Sequence, residues 1–331
     1  MRVAIINDTR PTNHYGCLMV MKNLDILLQQ EGAEIVWTWP VGVDWRKNLA
    51  KIQAMPKVDA VIVNGEGTIH HGPKRWQAQA LVEFANYAHQ TLNVPVFLIN
   101  ATLFANNDSL YKTLTQFDQV FVRDRSSFET LEQRQIACTF VPDMTFGVSS
   151  DIEYHPQKPV CVIDSVMQTD VPFLKKFSQC SQADYRSMIV ARPSNYCFWK
   201  RPRRFIMASC KWAYSDRHFS LDPSSFEEYL ARYKLVVTGR YHTVTMCLKN
   251  HISFVALESN TPKISFLLQE VFGHTRRVVD VKTLQNLNIE EWQRYSDEEH
   301  VAIDAFLMKA KDANKHMIKT IVLNTLSVFK K

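Results

Sequence analysis

The sequence of Val236–Lys263 is "VVTGRYHTVTMCLKNHISFVALESNTPK", and it combines the signals of a βαβ unit. The apolar segments "LVVTG" and "ISFVALES" are typical of buried strands, and Thr243–Asn250 between them has the character of a short helix. A further helical segment, "KISFLLQEV", begins at Lys263. Strand, helix, strand and helix in this order predict a parallel sheet, because parallel neighbours need a crossover connection.

The amino-terminal half of the chain repeats this alternation. Helical patterns of about 10–15 residues separate the apolar runs there, which indicates βαβ units. The predicted strands are Val3–Ile6, Ile35–Thr38, Ala60–Val63, Val96–Ile99, Gln119–Val122 and Cys138–Val141. The predicted helices are Leu18–Gln30, Trp45–Met55, Trp76–Thr91, Ser109–Phe117 and Ser127–Gln135. We therefore predict an amino-terminal Rossmann-like domain over residues 1–150.

A polar stretch, "GVSSDIEYHPQK", interrupts the pattern and marks the predicted domain boundary. Beyond it, "PVCVIDSV" predicts a strand, and "VPFLKKFSQC" and "SFEEYLARYK" predict helices. These elements indicate a second Rossmann-like domain over residues 151–331. Its middle, Asn195–Asp222, is predicted to be irregular. Its end, Asp297–Lys331, is predicted to be helical, with packing back on the first domain as one arrangement.

Two such domains in tandem predict an α/β fold whose strand ends face each other across a cleft. Ligands of open parallel sheets bind beyond the carboxyl ends of the strands. The 331 residues also exceed the usual size of one hydrophobic core. We therefore look for functional residues where predicted strands end.

The composition favours a cytoplasmic globular protein. The first strand begins at Arg2, which leaves no room for a signal peptide, and no apolar run approaches the ~18 residues of a membrane span. The seven Cys include no C-x-x-C pair, which argues against structural zinc, and no metal or cofactor is predicted. The net charge of +6 suits anionic ligands or a membrane surface.

The segment "NGEGTIHHG" follows the third predicted strand and holds three of the nine glycines of the chain. Glycines allow tight turns that bring backbone N–H groups against a ligand. The candidates for binding an acceptor sugar or an anion here are Gly65, Gly67, Thr68, His70 and His71. Glu66 is the candidate base for a sugar hydroxyl. A tight turn whose polar groups satisfy each other is the alternative.

Two further strand ends carry polar residues. "NDTRPTNHYGC" places Asn13 and His14 just before a helix, where they suit an anion or a polar sugar, with helix capping as the alternative. "FVRDRSS" places Arg123 where the strand alternation points its side chain toward the cleft, with a structural Arg–Asp pair as the alternative. "VPDMTF" repeats the pattern with Asp143.

The segment Val236–Lys263 holds the most informative set of polar residues. Arg240 and His242 are two residues apart, so in an extended segment their side chains would point the same way. A guanidinium binds phosphate or carboxylate with a fixed fork of donors. A His beside a bound anion is a candidate acid, because the anion stabilises its protonated form. Lys263, at the start of the next helix, adds positive charge.

These motifs resemble a known family. "TGRYHTVTMCLKNHISFVALESNTPKISFLLQEV" resembles the carboxyl-terminal signature of the polysaccharide pyruvyl transferase family. "FVRDRSSFETL" with "VPDMTF", and "HYGCLMVMKNLDILLQQEG", resemble its middle and first segments. "NGEGTIHH" lies where many members carry a run of glycines, so Glu66 departs from the pattern. The resemblance excludes about Val148–Leu221.

The resemblance implies a GT-B-like fold and transfer of pyruvate from phosphoenolpyruvate to two hydroxyls of a sugar as a cyclic ketal. It implies that Arg240 and His242 hold the donor, that His242 is the general acid, and that Arg123 is a further donor contact. Phosphoenolpyruvate would be a co-substrate, and the acceptor a sugar or a glycan, in free or lipid-linked form. A nucleotide-sugar glycosyltransferase and a non-catalytic carbohydrate-binding protein are the alternatives.

A last feature is the segment "NYCFWKRPRRFIMASCKW", which mixes basic and aromatic residues over 198–212. This mixture suits the headgroup region of a membrane, and so a peripheral contact at its inner face. A solvated basic loop packed over the cleft is the alternative. Nucleic acid is not a predicted partner, because no nucleic-acid motif accompanies the segment.

Overall fold

The computed structural model of the protein describes residues 1–328, which divide into two α/β units. Unit 1 consists of Met1–Thr9, Val20–Val148 and the chain from Leu307 onward. Unit 2 consists of Arg10–Met19 and Ser149–Phe306. The predicted division at residue 150 is therefore close to the division at Val148 and Ser149. The structure differs at both ends, where a short segment belongs to the other unit. The end of the predicted second domain, 329–331, lies outside the described residues.

Unit 1 is built on a parallel sheet of six strands in the order β2-β1-β3-β4-β5-β6. Every residue of the third and fourth strands is buried, which explains their continuous apolar sequences. The strands are β1 Arg2–Asp8, β2 Glu34–Pro40, β3 Ala60–Asn64, β4 Val96–Ala101, β5 Gln119–Val122 and β6 Thr139–Phe140. The sequence therefore predicted all six correctly, apart from their ends.

The helices of unit 1 lie between these strands in the chain. They are α1 Tyr15–Gln30, α2 Leu49–Gln53, α3 Trp76–Tyr87, α4 Asp108–Thr113 and α5 Arg125–Glu132. The first residues of α1 belong to unit 2. The last helix, α13 Asp297–Val328, enters unit 1 at Leu307. Its side chains Met317, Ile318, Ile321 and Val322 join one hydrophobic core with residues of β1 and β4.

Unit 2 is built on a parallel sheet of four strands in the order β10-β9-β7-β8. The strands are β7 Lys158–Ser165, β8 Asp184–Arg186, β9 Tyr233–Gly239 and β10 Phe254–Ala256. The helices are α6 Val171–Cys180, α7 Pro202–Lys211, α8 Pro223–Leu230, α9 Tyr241–Lys249, α10 Lys263–Phe272, α11 Val281–Gln285 and α12 Ile289–Trp292. The βαβ unit predicted from the sequence of Val236–Lys263 is formed by β9, α9 and β10.

The prediction of an irregular middle at Asn195–Asp222 was wrong. The segment contains α7, and a π-helical turn over Trp212–Asp216 continues it. The apolar residues of α7 lie largely on its solvent side, so the sequence shows no inward-facing stripe of the usual kind. Within residues 1–328, no helix combines the length and the apolar character needed to span a bilayer.

The segment Arg10–Met19 packs into unit 2 although it follows β1 in the chain. Its backbone pairs with the chain after β8, through an antiparallel bridge between His14 and Ile189 and a 3.1 Å bond from the Tyr15 N–H to the Met188 carbonyl. The Tyr15 ring stacks on Phe226 with 4.5 Å between ring centroids. These contacts bring an amino-terminal loop to the strand ends of unit 2.

Candidate active site

The strands β7 and β9 end side by side, and their last residues, Ser165 and Gly239, are partners in the sheet. A Cβ built on Gly239 would lie 2.3 Å from the Ser165 hydroxyl oxygen, so only glycine fits this close approach. The two strand ends therefore present Asp164 and Arg240 at the same edge of the sheet.

Arg240 and Asp164 form a two-point ion pair. The Nε of Arg240 donates to Oδ1 of Asp164 at 3.0 Å, and Nη2 donates to Oδ2 at 2.7 Å. The carboxylate also accepts from the Ser187 hydroxyl at 2.9 Å and from the Met188 N–H at 3.1 Å. The guanidinium is thereby fixed in direction, while its Nη1 makes no hydrogen bond to any residue in the range 1–328.

His242 is the second residue of α9 and is buried. The segment from Arg240 to His242 is not extended, contrary to the prediction, because α9 begins at Tyr241 and Arg240 is its N-cap, with φ −116° and ψ 121°. The first turn of α9 has neither an acidic residue nor a side-chain cap. Its N–H groups and Arg240 therefore give this strand end a positive field that favours an anion.

The amino-terminal loop reaches this place through Gly16 and His14. A Cβ on Gly16 would lie 2.2 Å from Cβ and Cγ of His242, so glycine is required where α1 passes the imidazole. The rings of His14 and His242 meet edge to face with 5.6 Å between centroids. Asn13 adds a buried Nδ2 that has no hydrogen-bond partner within the described chain.

His14 is neutral in this environment. The loss of water around its ring lowers its pKa well below the usual range, and the charges of His242, Arg240 and Lys263 lower it further. Its Nδ1 accepts from the Cys17 N–H at 3.4 Å, which makes His14 the N-cap of α1. Four of the predicted residues, His14, Arg240, His242 and Lys263, are therefore electrostatic neighbours within unit 2.

Lys263 is the first residue of α10, as the sequence predicts. Its Nζ lies 5.7 Å from the centre of the Tyr241 ring. The N-terminus of α10 already holds a carboxylate, because Glu258 accepts from the Ile264 N–H at 3.2 Å and from the Ser265 N–H at 3.0 Å. An external anion is therefore favoured at α9 rather than at α10.

The predicted residues of unit 1 form a second cluster at the end of β3. Glu66 is buried, and the Thr9 hydroxyl donates to its Oε2 at 2.8 Å. The Asn7 amide donates to the Asn64 carbonyl at 2.6 Å and to the Thr68 hydroxyl at 3.3 Å. The turn itself contains Gly65 and Gly67. Part of the alternative interpretation thus holds, since several polar groups of this turn bond to one another.

His70 and His71 also lie in this turn region. Their Nδ1 atoms are 2.8 Å apart, so one ring donates a hydrogen bond to the other, and Arg75 contacts the His70 ring. The His71 N–H donates to the Phe104 carbonyl at 2.8 Å. Anion binding by these two His stays a prediction.

Arg123 does not project freely from the end of β5. Its Nη1 donates to Asp143 at 2.6 Å and its Nε donates to the Thr102 hydroxyl at 2.8 Å, and both charged side chains are almost completely buried. Asp124 caps α5, because its Oδ1 accepts from the Ser127 N–H at 2.8 Å. The structural Arg–Asp pair therefore explains Arg123 without a ligand, and its donor contact stays a prediction.

Sequence reasoning missed Asp164 and Glu258. Both follow apolar strand residues, so the rule that polar residues at strand ends matter could have found them. Among residues 1–328, no group of three or more His, Cys, Asp or Glu has an arrangement suited to a metal ion.

The chain is similar to known proteins in sequence and in fold. The family model described as polysaccharide pyruvyl transferase matches residues 14–261. No curated protein matches the chain. Similar solved structures include Staphylococcus aureus MnaA with UDP, at 14% identity and TM-score 0.61, which covers 98% of this chain and 97% of that one.

Two further structures support the same fold. A candidate UDP-N-acetylglucosamine 2-epimerase from Listeria monocytogenes has 13% identity and TM-score 0.60, covering 97% of this chain and 95% of that one. The UDP-GlcNAc 2-epimerase of Methanocaldococcus jannaschii, with UDP-GlcNAc and UDP, has 12% identity and TM-score 0.56, covering 98% and 100%. At these identities the likeness concerns the fold, which is GT-B-like, as predicted. The match to the family model extends over most of the sequence, and the chain belongs to the polysaccharide pyruvyl transferase family.

Proposed function

We propose that the protein transfers the pyruvyl group of phosphoenolpyruvate to two hydroxyls of a sugar, forming a cyclic ketal in polysaccharide biosynthesis. The observation that carries the proposal is the fixed guanidinium of Arg240 at the N-terminus of α9, next to two imidazoles. The family membership supports the reaction class.

The donor is an anion with a phosphate and a carboxylate, and the strand end of β9 suits it. Arg240 offers Nη1, α9 offers uncapped N–H groups, and Lys263 contributes a further positive charge. Asp164 neutralises one side of Arg240 and directs the other side to the donor. Glu258 keeps the N-terminus of α10 occupied, so we place the donor at α9.

The acid is assigned by comparing the two imidazoles. His14 has a strongly lowered pKa and uses Nδ1 as a helix cap, so it is a poor proton donor near pH 7. We therefore assign the acid role to His242. Its proton goes to the vinyl CH₂ of the donor, which becomes a methyl group, while a sugar hydroxyl oxygen bonds to the middle carbon.

The second sugar hydroxyl then bonds to the same carbon, and the C–O bond to phosphate breaks. One hydroxyl proton replaces the proton that His242 gave, and the other leaves with the phosphate, so the protons balance. We propose Glu66 as the base for a hydroxyl proton, supported by its burial at the end of β3. Asn13 and the His70–His71 turn are proposed as acceptor or anion contacts.

The test is thermal stabilisation of the purified protein by phosphoenolpyruvate. We expect saturable stabilisation of the wild type, its loss in Arg240→Ala, and its retention in Arg232→Ala, which removes an exposed arginine of the same unit. Equal stabilisation of wild type and Arg240→Ala would contradict the donor site.

The alternative is a nucleotide-sugar glycosyltransferase, and solved structures of the same fold do contain UDP or UDP-GlcNAc. Stabilisation by UDP-sugars without any effect of phosphoenolpyruvate would support it. His242→Gln separates both enzymes from a carbohydrate-binding protein. An enzyme loses turnover in this variant, whereas a binding protein loses at most affinity.

A further inference from the structure

The segment that the sequence predicted to be irregular forms an exposed apolar surface in unit 2. Trp199 and Tyr214 are 88% and 92% exposed, and Met207 and Ile206 on α7 are 68% and 53% exposed. Ile206, Met207 and Cys210 recur at helical spacing on the solvent side of α7, while Ala208 faces inward. We call residues 197–214 the α7 surface. Large side chains this exposed indicate a surface that is covered by a partner.

The same surface is positively charged. The sequence has no Asp or Glu between Asp184 and Asp216, but it has Lys200, Arg201, Arg203 and Arg204 in one short run. All four are exposed, and none of them forms an ion pair within the described residues.

The location of these cations is informative. Arg203 and Arg204 lie in the first turn of α7 and Arg201 is its N-cap, and no acidic residue or side-chain cap balances them. A helix N-terminus already carries partial positive charge, so cations there oppose the stability of the isolated helix. An anionic partner at this end would be favoured by the helix and by the side chains together.

We propose that the α7 surface docks on an anionic lipid bilayer. Exposed Trp and Tyr side chains favour the membrane–water interface, and apolar side chains flanked by Arg and Lys suit a helix that lies in the plane of the headgroups. Each basic residue near such a surface adds attraction to anionic lipids. A second copy of the chain would present the same unbalanced positive charge, so self-association is disfavoured electrostatically.

Docking would act on the active-site loop through short connections within unit 2. Lys211 of α7 donates to the Ile189 carbonyl at 2.8 Å, and Ile189 pairs with His14. A groove of about 450 Å³ separates α7 from the segment 189–196 and reaches Thr12. A lipid-linked glycan presented by the bilayer would therefore arrive beside the loop that carries His14.

The experiment is flotation of the full-length protein with vesicles. One set contains phosphatidylcholine alone, and the other contains phosphatidylcholine with about one third phosphatidylglycerol. We expect the wild type to float with the anionic vesicles at low salt, and at least tenfold less with the neutral ones. The assay needs no substrate, so its outcome is independent of the proposed reaction.

Two variants remove the apolar and the charged parts of the surface, each with a matched control on α13. Ile206→Ser/Met207→Ser is compared with Leu323→Ser/Met308→Ser, whose residues are 55% and 64% exposed. Arg203→Glu/Arg204→Glu is compared with Lys309→Glu/Lys315→Glu, which changes the net charge equally. We expect at least tenfold weaker vesicle binding in the α7 variants and less than twofold change in the controls.

Several results would overturn the proposal. These are no flotation with anionic vesicles, equal loss in the control variants, or full binding by the α7 variants. A wild type that is a dimer in solution and becomes a monomer in the apolar variant would assign the surface to a second copy instead. Binding of an unspecific RNA in preference to vesicles would assign it to nucleic acid.

Discussion

At the scale of single residues, the two-point pair between Asp164 and Arg240 determines which edge of the guanidinium remains for a ligand. Asp164 accepts four hydrogen bonds in all, so its position is itself well fixed. A charge-assisted hydrogen bond contributes about 1.5–3 kcal/mol, so the pair can set the direction of Arg240 at the strand end. Asp164 is thus a positioning residue for the donor site.

We expect Asp164→Asn to raise the KM for phosphoenolpyruvate by about 10–100-fold with a much smaller change in kcat, because the amide no longer fixes the guanidinium. Steady-state kinetics and the ligand-induced shift in Tm measure this. The control is Asp184→Asn, which breaks an exposed pair with Lys158 in the same unit. An unchanged KM in Asp164→Asn would show that Arg240 is held without the carboxylate.

The pH dependence of stability tests the neutral state of His14. Its pKa in the folded protein lies below that of the unfolded chain, so the unfolded state takes up a proton first as the pH falls below about 6.5. Stability is therefore lost on acidification, down to the folded pKa. Between pH 7.5 and 5.5 the loss from this group is at most about 1.4 kcal/mol, a limit set by the pKa of the unfolded chain.

We expect His14→Asn to reduce the acid-induced loss of stability, by no more than that limit, because Asn keeps a helix-capping side chain and does not titrate. Urea unfolding at the two pH values measures it in both proteins. Comparing the difference between pH values in the two proteins cancels titrating groups that do not interact with His14, such as His251, whose pKa desolvation also lowers. Identical pH dependence in wild type and variant would contradict the lowered pKa.

The sequence predicted most residues of the site but not their pairs. Arg240, His242 and Lys263 follow from polar residues at strand ends, which is a local pattern. The partner of Arg240 is 76 positions away in the chain, and only the parallel pairing of β7 and β9 brings Asp164 to it. Pairing between distant strands is set by tertiary packing, so no local pattern reveals it.

At the scale of elements, the approach of α1 to α9 depends on Gly16. The nearest atoms to its missing side chain belong to His242 itself, at 2.2 Å. An added methyl group must push the imidazole or the helix aside, and overpacking of this kind costs about 1–3 kcal/mol.

We expect Gly16→Ala to lower stability by about that amount and to weaken phosphoenolpyruvate binding, because His242 is displaced. Chemical unfolding and the ligand-induced Tm shift measure the two effects. Gly32→Ala is the control, since its φ of +72° is strained for Ala but no atom lies within 4 Å of the new Cβ. Normal ligand binding by Gly16→Ala would show that His242 tolerates the shift.

The pair between Arg123 and Asp143 tests a structural role against a donor contact. Removing one partner of a buried ion pair leaves an uncompensated charge, which costs about 3–5 kcal/mol. We expect Arg123→Met to lose this stability and to keep phosphoenolpyruvate affinity when folded. Arg134→Met, which breaks an exposed pair with Asp108, should stay within about 1 kcal/mol of the wild type.

A second substitution that restores stability would also support a structural role for Arg123. The double variant Arg123→Met/Asp143→Leu removes both charges, and we expect it to be more stable than Arg123→Met alone. If this double variant were as stable as the wild type but did not bind phosphoenolpyruvate, Arg123 would be the donor contact that the family resemblance implies.

Strands and helices with a buried face were predictable, and α7 was not. The continuous apolar runs of β1, β3 and β4 reflect burial on both faces of the sheet, and such runs indicate buried strands. The outward apolar residues of α7 follow directly after Pro202, Arg203 and Arg204, so the sequence of this segment is typical of a loop. A helix whose apolar side faces solvent escapes a rule based on an inward stripe.

At the scale of the whole molecule, the end of α13 completes the core of unit 1. Ile318 is fully buried among residues of the central strands, whereas Leu323 on the same helix is exposed. We expect Ile318→Ala to cost about 2–5 kcal/mol because it leaves a cavity, and Leu323→Ala to cost less than about 0.5 kcal/mol. Thermal and urea unfolding measure both. Equal stability of the two variants would contradict this packing.

The sequence predicted two α/β units but not how the chain is shared between them. A boundary was readable because polar residues interrupt the pattern after Val148. The assignment of Arg10–Met19 to unit 2 depends on pairing with Met188 and Val190, which lie far along the chain. Such an exchange of short segments leaves no signal in composition or periodicity.

This sharing of segments limits how the protein can be recombined. In a chimera that joins residues 1–148 to the carboxyl-terminal half of a relative, the last helix of the relative would have to pack on the unit 1 sheet of this protein. The chimera would also carry the His14 loop into a foreign unit 2. Substrate preferences are therefore expected to transfer between relatives only when three chain segments are exchanged together, with junctions near residues 9, 19, 148 and 306.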